Sequence, residues 1–415
     1  MKFLKISISL LLLMTIIVNM ISCVNVKADD LMKDISANNV NGKPIDDFFI
    51  ESMANFSVEL FKKTIADKEN SLISPLSVML ALAMTANGAD NETLSQMEKL
   101  LGGEIPLTEL NEYLYSYVKS LPNEEKSKLN IANSIWFRDD KDRLQVKNDF
   151  LQTNADYYNA AAYKSAFDNQ TIKDINNWVK SNTDGTIDKI IDEIDPYAVM
   201  YLINAVVFDA EWENVYYGNY VRKNDFTNIN GIKQNVDFMN SSEYGYIDDG
   251  KATGFIKDYH KNNYNFVALL PNEDIAIEEY IQSLTGTELR EKIQNAEKIE
   301  VKTYMPKFEY EYEISMNEAL KILGIPDAFD ENKADFNKMA TSSVGNIYIA
   351  EVLHKTYISV DETGTKAGAI TIEQPQNEDA DIEIKTVRLD RPFIYAIIDN
   401  ATNLPVFIGT VMTIN

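Results

Sequence analysis

The sequence predicts one large domain of the α+β class, in which segments of helix and strand follow one another in an irregular order. Its 415 residues are 45% apolar and 25% charged, which is ordinary for a globular chain and enough for a large buried core. After a first segment of ~30 residues, the size of a signal peptide, the chain has no Gly/Ser-rich linker, internal repeat or long block of charge. We therefore expect a single domain over residues 48–415, with large mixed sheets.

Periodicity supplies the individual elements. Apolar residues at helical spacing predict helices over residues 48–63, 78–87, 150–161, 172–182 and 316–325. Alternating or continuous apolar runs predict strands over residues 131–137, 201–208, 266–271, 300–312 and 354–360. The run over 201–208 is almost wholly apolar, which is typical of a strand buried on both faces. Its one polar residue, Asn204, then needs hydrogen-bond partners inside the protein.

The first 28 residues have the pattern of a secretion signal. Lys2 and Lys5 open the chain, a largely apolar run follows from Phe3 to Ile21, and Val26-Lys27-Ala28 is a small-residue cleavage site. A polar lead-in, residues 29–47, comes before the domain. We therefore expect a secreted, extracellular protein.

Cys23 is the only cysteine, so the chain cannot form an internal disulfide. It ends the tetrapeptide Met20-Ile21-Ser22-Cys23, which resembles a bacterial lipobox with an unusual first residue. Two outcomes stay open at this point. Either Cys23 becomes a lipidated N-terminus that anchors the protein to the cell surface, or cleavage follows Ala28 and the mature protein has no cysteine.

Charge and motif content exclude several classes of function. A net charge of -25 argues against nucleic acid and anionic membranes as partners, leaving an N-terminal lipid as the one route to a membrane. The only histidines are His260 and His354, and the chain lacks HExxH, CxxC, GxSxG and GxxxxGK[ST] motifs. We therefore expect no enzymatic activity, no cofactor and no metal.

The most informative stretch follows the strand over residues 354–360. In the next extended segment, small side chains occupy alternate positions, at Thr365, Ala367, Ala369 and Thr371. Such side chains fall on one face and can enter between two strands without a clash or an unpaired charge. Residues 373–381 are polar and acidic, as expected of a solvated loop. Taken alone, the stretch is equally compatible with an ordinary strand, loop and strand.

The wider chain favours a specific interpretation. The octapeptide Glu362-Thr363-Gly364-Thr365-Lys366-Ala367-Gly368-Ala369 resembles the reactive-centre hinge of the serpins. Asp390-Arg391-Pro392-Phe393 and Phe407-Ile408-Gly409 resemble the C-terminal pattern of that family. The resemblance implies the serpin fold, with a large central mixed β-sheet, smaller sheets, about eight or nine helices and an exposed reactive-centre loop over about residues 364–385.

The resemblance also assigns site residues. A shutter under the central sheet would contain Ser74, Ser77, Asn204 and His354. An ion pair between Glu362 and Lys307 would lie at the head of the hinge strand, which itself would include Gly364, Thr365, Ala367, Gly368, Ala369 and Thr371. Simpler alternatives are helix capping by the serines, a structural histidine and a weak exposed ion pair.

For function, the resemblance implies an irreversible, suicide-type inhibitor of serine or cysteine endopeptidases that acts as a monomer. The inward positions of the hinge carry neither charge nor proline, which favours inhibition. The alternative is a non-inhibitory carrier or surface-interaction protein with the same fold.

The family spacing places the scissile bond between Glu378 and Asp379, with Asn377, Ala380 and Asp381 as alternative positions. Because these positions are mostly acidic, a glutamyl- or aspartyl-specific protease is the leading target. Cleavage beside Ala380 would suit an elastase- or subtilisin-like enzyme.

Overall fold

A computed structural model of the chain describes residues 26–139, 143–216, 218–365 and 384–414. Cys23 and most of the signal segment lie outside these ranges, as do the loop residues 366–383. Among the helices of the described ranges, none combines the length and apolar character that crossing a membrane requires.

Nine α-helices lie in the described residues. In chain order they are α1 (Asp47–Thr64), α2 (Pro75–Ala86), α3 (Asn91–Leu101), α4 (Leu107–Ser120), α5 (Asn148–Tyr158), α6 (Asn169–Asn182), α7 (Ile277–Ser283), α8 (Gly286–Gln294) and α9 (Asn317–Leu323). The number agrees with the eight or nine that the resemblance implied. The predicted helix over 150–161 is too long, because Asn159 takes the left-handed conformation (φ 47°) and ends α5.

Eighteen β-strands lie in the same ranges. They are β1 (Asp29–Asp30), β2 (Ser71–Ile73), β3 (Ser127–Arg138), β4 (Leu144–Val146), β5 (Ala161–Ser165), β6 (Met200–Glu211), β7 (Val221–Thr227), β8 (Lys233–Asp248), β9 (Ala252–Asp258), β10 (Tyr264–Pro271), β11 (Glu297–Pro306), β12 (Phe308–Ser315), β13 (Ala340–Ser342), β14 (Glu351–Val360), β15 (Gly364–Thr365), β16 (Lys385–Arg388), β17 (Phe393–Asp399) and β18 (Leu404–Val411).

The predicted single strand over 300–312 is wrong. The chain forms β11 and β12 instead, and these belong to different sheets. The break falls at Pro306 and Lys307, because proline cannot donate a hydrogen bond to a continuing ladder. Lys307 thereby comes to lie at the junction of the two large sheets.

The central sheet has seven strands in the described part of the chain, in the order β1-β5-β3-β6-β15-β14-β12. Strands β6 and β14 also pair directly and in parallel, from Tyr201 opposite Glu351 to Val206 opposite Thr356. The two-residue strand β15 lies between the same two strands beyond that pairing. At the centre of the sheet, the short strand β15 therefore forms a wedge between the long strands β6 and β14.

A second sheet contains nine strands of the described chain. Its order is β16-β11-β8-β9-β10-β17-β18-β2, with β7 paired to β8. Strands β4 and β13 form a separate two-stranded ladder. This arrangement of one large mixed sheet, a second large sheet and peripheral helices agrees with the fold that the resemblance implied.

The central sheet is covered on both faces. On one face, Trp178 and Val179 of α6 pack with Ile203 and Val207 of β6 in a separate apolar cluster. The alternate residues of β6, such as Leu202, face the main core. Burial on both faces explains why the sequence over 201–208 is almost continuously apolar, and confirms that prediction.

The polar lead-in lies along the body of the protein. Asp29 and Asp30 pair with β5, and the backbone N–H of Ala28 donates to Asp174 Oδ2 of α6 at 2.9 Å. Further along, the N–H of Asn38 donates to Asp156 Oδ1 of α5 at 2.7 Å. Residues 28–38 are therefore tied to α5, α6 and the edge of the central sheet.

Candidate hinge and shutter of the central sheet

The wedge in the central sheet begins with a tight turn over residues 361–364. The N–H of Asp361 donates to the carbonyl oxygen of Gly364 at 3.0 Å. In return, Asp361 Oδ1 accepts hydrogen bonds from the N–H of Thr363 at 2.8 Å and of Gly364 at 3.3 Å. This side chain satisfies backbone donors inside the turn, as aspartate commonly does. The chain therefore leaves β14 and immediately doubles back.

Glycine is required at position 364 by a close approach of two backbones. A Cβ atom added to Gly364 would lie 2.0 Å from the carbonyl oxygen of Ala210 on β6. No side chain fits in that space without moving a strand of the central sheet. The sequence of the hinge is thus fixed here by how tightly β15 lies against β6.

Thr365 is the first residue of the hinge to lie inside the sheet. It pairs with Ala210 on β6 and with Val360 on β14, and its side chain is 1% exposed. Its hydroxyl lies 2.6 Å from the hydroxyl of Tyr259. Gly364 and Thr365, which we expected at the start of an exposed loop, are therefore buried.

The turn is also held from outside by residues 212–216, which follow β6 and which we call the clip. The backbone N–H of Trp212 donates to the carbonyl oxygen of Thr363 at 2.9 Å, and that of Tyr216 to the carbonyl oxygen of Glu362 at 2.8 Å. The indole Nε1 of Trp212 donates to the carbonyl oxygen of Asp361 at 2.9 Å. The clip thus bonds three consecutive carbonyl groups of the turn.

The four predicted shutter residues come together beneath the parallel pairing of β6 and β14. His354 lies directly opposite Asn204, and His354 Nδ1 is hydrogen-bonded to Asn204 Oδ1. The backbone N–H of Ser74 donates to His354 Nε2 at 3.1 Å. Because Nε2 accepts, the ring carries its proton on Nδ1 and donates to Asn204.

The amide of Asn204 extends the network to α2 and β3. Its Nδ2 donates to the carbonyl oxygen of Ser77 at 3.0 Å, and also to Ser77 Oγ and Asn133 Oδ1. Strand β3 pairs with β6 so that Asn133 lies directly opposite Asn204. The network therefore joins β3, β6, β14 and the start of α2 at one point.

Burial determines the charge of His354. The ring is fully buried, and this desolvation lowers its pKa from 6.5 to about 3. The imidazole is therefore neutral at physiological pH, in agreement with its role as both donor and acceptor. The neutral ring is hydrogen-bonded at both nitrogens and joins β14 to β6 and to the start of α2.

Ser74 and Ser77 combine the two roles that the sequence left open. Ser74 is the N-cap of α2, and its Oγ accepts from the N–H of Ser77 at 3.4 Å. The backbone of Ser74 and the side chain of Ser77 also contact His354 and Asn204, as described above. Capping thus fixes the first turn of α2 against the two paired strands.

Asn133 is a member of the network that the sequence analysis did not identify as a site residue. It lies within the predicted strand over 131–137, whose other residues except Ser134 are apolar. A polar side chain in the middle of a buried strand was the available signal. Only the register of β3 on β6 shows that the partner of Asn133 is Asn204.

Lys307 and Glu362 form the ion pair implied by the resemblance. Their side chains are 31% and 30% exposed, and Lys307 follows β11 at the head of the hinge. Ion pairs this accessible to water contribute on average about 1 kcal/mol or less to stability. The three hydrogen bonds from the clip hold the turn as well, at about 1 kcal/mol net for each.

Some predicted site residues lie outside the described ranges. They are the hinge residues Ala367, Gly368, Ala369 and Thr371 and the scissile-bond candidates Asn377, Glu378, Asp379, Ala380 and Asp381. The chain is described again from residue 384, and Lys385 begins β16 at the edge of the second sheet. The two described ends of the loop are thus anchored in different sheets.

Comparison with known proteins places this geometry in a family. A family profile described as Serpin (serine protease inhibitor) matches residues 51–414. Serpin B8 of Homo sapiens is 28% identical over 386 residues, covering 88% of this chain and 98% of its own. The thermophilic serpin tengpin in its native state is 59% identical, with a TM-score of 0.91, covering 93% of this chain and 100% of its own. Its latent state gives 58% identity and a lower TM-score of 0.81, at 90% and 100% coverage.

Proposed function

This chain belongs to the serpin family of serine protease inhibitors, and we propose that it is an irreversible, suicide-type inhibitor of serine or cysteine endopeptidases. The observation that carries the proposal is the position of β15. The hinge already occupies the site between β6 and β14 at which a further strand would enter.

The proposed reaction starts as ordinary proteolysis. The nucleophilic oxygen or sulfur of the protease attacks the scissile carbonyl carbon, the C–N bond breaks, and the new amine leaves with the proton relayed by the catalytic histidine. An ester or thioester now joins the protease to the N-terminal side of the loop. Residues after Thr365 are then free to continue β15 along the sheet and to carry the protease with them.

Insertion exchanges one strand pairing for two. Strands β6 and β14 pair in parallel from residue 201 to 206 and from 351 to 356, whereas β15 is antiparallel to both. An inserted strand therefore replaces a slightly weaker parallel pairing by two antiparallel ones. With ~1 kcal/mol for each of a dozen or so new hydrogen bonds, together with apolar burial, insertion releases on the order of 10 to 20 kcal/mol.

The attachment of the loop at both ends explains why the uncleaved protein persists. An intact loop is attached to β16 at the edge of the second sheet, so it cannot continue into the central sheet without detaching there. The uncleaved fold is then held by a kinetic barrier and does not represent the most stable arrangement of the chain. Cleavage removes that tether.

The proposed target follows from the loop sequence. Cleavage between Glu378 and Asp379 would suit a glutamyl- or aspartyl-specific protease, whereas cleavage beside Ala380 would suit an elastase- or subtilisin-like enzyme. We further propose that the protein acts as an extracellular monomer. It would reach that location with either a lipidated Cys23 or an N-terminus after Ala28.

The direct test is to incubate the chain from residue 29 onward with a glutamyl endopeptidase and, separately, with a subtilisin-type protease. We expect a complex of summed mass that survives denaturing electrophoresis, because an ester bond joins the two chains. Mass spectrometry of the released C-terminal fragment then identifies the scissile bond. If both proteases cut the loop, stay active and form no complex, and cleavage does not raise the melting temperature, the inhibitor proposal is contradicted and the carrier alternative is favoured.

A further inference from the structure

Lys257 is a buried cation close to the hinge. It lies on β9 and is 1% exposed, and its Nζ is 2.7 Å from Glu243 Oε1 on β8. The same ammonium donates to the carbonyl oxygen of Asn214 at 3.1 Å and lies 4.4 Å from the centre of the Tyr216 ring. The Trp212 ring centre is 5.3 Å away. A charge this buried requires such partners.

The partners of Lys257 are the residues of the clip. Trp212, Asn214 and Tyr216 all belong to it, and the clip is the segment that bonds the carbonyl groups of the 361–364 turn. On the far side, Glu243 also accepts from Ser241 Oγ at 2.5 Å, and Ser241 Oγ lies 3.3 Å from the Tyr216 hydroxyl. The buried ion pair therefore contacts the clip, and the clip in turn bonds the 361–364 turn.

Strand insertion has a slow first step. Closing a turn and making the first cross-strand pair orders several residues for few contacts, whereas each later pair adds bonds with little further ordering. In this protein the turn over 361–364 is closed before cleavage, and Thr365 is already paired with Val360 and Ala210. The first step of insertion has thus been completed in advance.

We propose that Lys257 and Glu243 are positioning residues for loop insertion. They hold the clip so that the turn stays closed, and the inserted strand can grow at once from Thr365. This inference rests on the proposed inhibitory function, in which hydrolysis of the acyl-enzyme competes with insertion. Faster insertion means that more encounters end in a trapped protease and fewer in a cleaved, spent inhibitor.

The test measures the ratio of inhibitor molecules consumed to protease molecules inactivated, and compares this ratio between the wild type and variants. The proteases are again the glutamyl endopeptidase and subtilisin. For Lys257→Met we expect insertion to become about tenfold slower relative to acyl-enzyme hydrolysis, which corresponds to about 1.4 kcal/mol in the insertion barrier and raises this ratio. Cleavage should raise the melting temperature of the variant by as much as it raises that of the wild type, because the inserted end state keeps its strand pairings.

A second variant separates positioning from folding stability. Lys257→Met alone leaves Glu243 as an unpaired buried charge, whereas Glu243→Gln combined with Lys257→Met leaves neither charge. The double variant should regain melting temperature but keep the raised ratio of inhibitor consumed to protease inactivated, since methionine cannot donate to the Asn214 carbonyl.

Lys292→Met is the matched control. Lys292 forms a partly buried ion pair with Asp249, 2.8 Å away, near the start of β9 and therefore remote from the hinge.

Each outcome decides the inference. A raised ratio in both Lys257 variants, with Lys292→Met near wild type, supports it. A wild-type ratio in Lys257→Met, or in the double variant, overturns it while leaving the proposed function intact. If the wild-type protein itself forms no complex and gains no thermal stability on cleavage, the proposed function fails and this inference fails with it.

Discussion

Thr365→Arg is expected to convert the protein from an inhibitor into a substrate that target proteases cut and leave. Thr365 is enclosed between β6 and β14, and its hydroxyl lies against the hydroxyl of Tyr259, an uncharged partner. Burying an arginine without a partner costs on the order of several kcal/mol. The first strand pair would then not form, and insertion would become slower than hydrolysis of the acyl-enzyme.

We expect the fraction of encounters that end in a covalent complex to fall at least about a hundredfold, the equivalent of roughly 3 kcal/mol in the barrier. Denaturing electrophoresis with increasing ratios of inhibitor to protease measures this fraction. Thr365→Ser is the matched control, because it keeps the hydroxyl that meets Tyr259 and should remain near wild type. An arginine variant that still traps protease efficiently would contradict insertion at this position.

The second large effect is a loss of stability in acid that depends on His354. The pKa of this histidine is about 3 in the folded protein, against about 6.5 in an unfolded chain. Between these values the unfolded chain binds the extra proton, so stability is full above pH 6.5 and falls as the pH decreases towards 3. The whole difference corresponds to about 4 to 5 kcal/mol.

The measurement is the urea concentration needed for unfolding at pH 7 and at pH 4.5. For the wild type we expect a loss of about 2 to 3 kcal/mol from His354 over that interval, in addition to changes from carboxyl groups. His354→Gln should be less stable at pH 7, because the network with Asn204 and Ser74 is broken, yet should lose less on acidification. His260→Gln, at a more exposed position, is the control and should follow the wild type. Equal acid sensitivity in all three proteins would contradict the assignment.

The sequence was most informative where burial and pattern coincide. The apolar run over 201–208 predicted a strand covered on both faces, and α6 and the main core provide those two faces. It was least informative where side chains meet only through strand register. Asn133 joins the shutter because β3 pairs with β6 in one particular register, which no local pattern encodes.

Lys257 was overlooked for a related reason. A lysine in a short strand is normally interpreted as pointing to solvent, since lysine is almost never fully buried without a partner. Its partner Glu243 lies on the adjacent strand β8, and the clip that covers both comes from a third segment of the chain. Helix α3 was also not predicted, although Met97 and Leu101, four residues apart, are both buried.

The central claim is that the loop enters the sheet after cleavage, and one measurement tests it most directly. The loop is cut with a protease that is then removed, and the melting temperatures of the intact and cleaved proteins are compared. On the order of 10 kcal/mol of added strand pairing predicts an increase of at least about 10 °C. An unchanged or lower melting temperature would mean that β15 does not grow into the sheet, and would contradict the proposed mechanism.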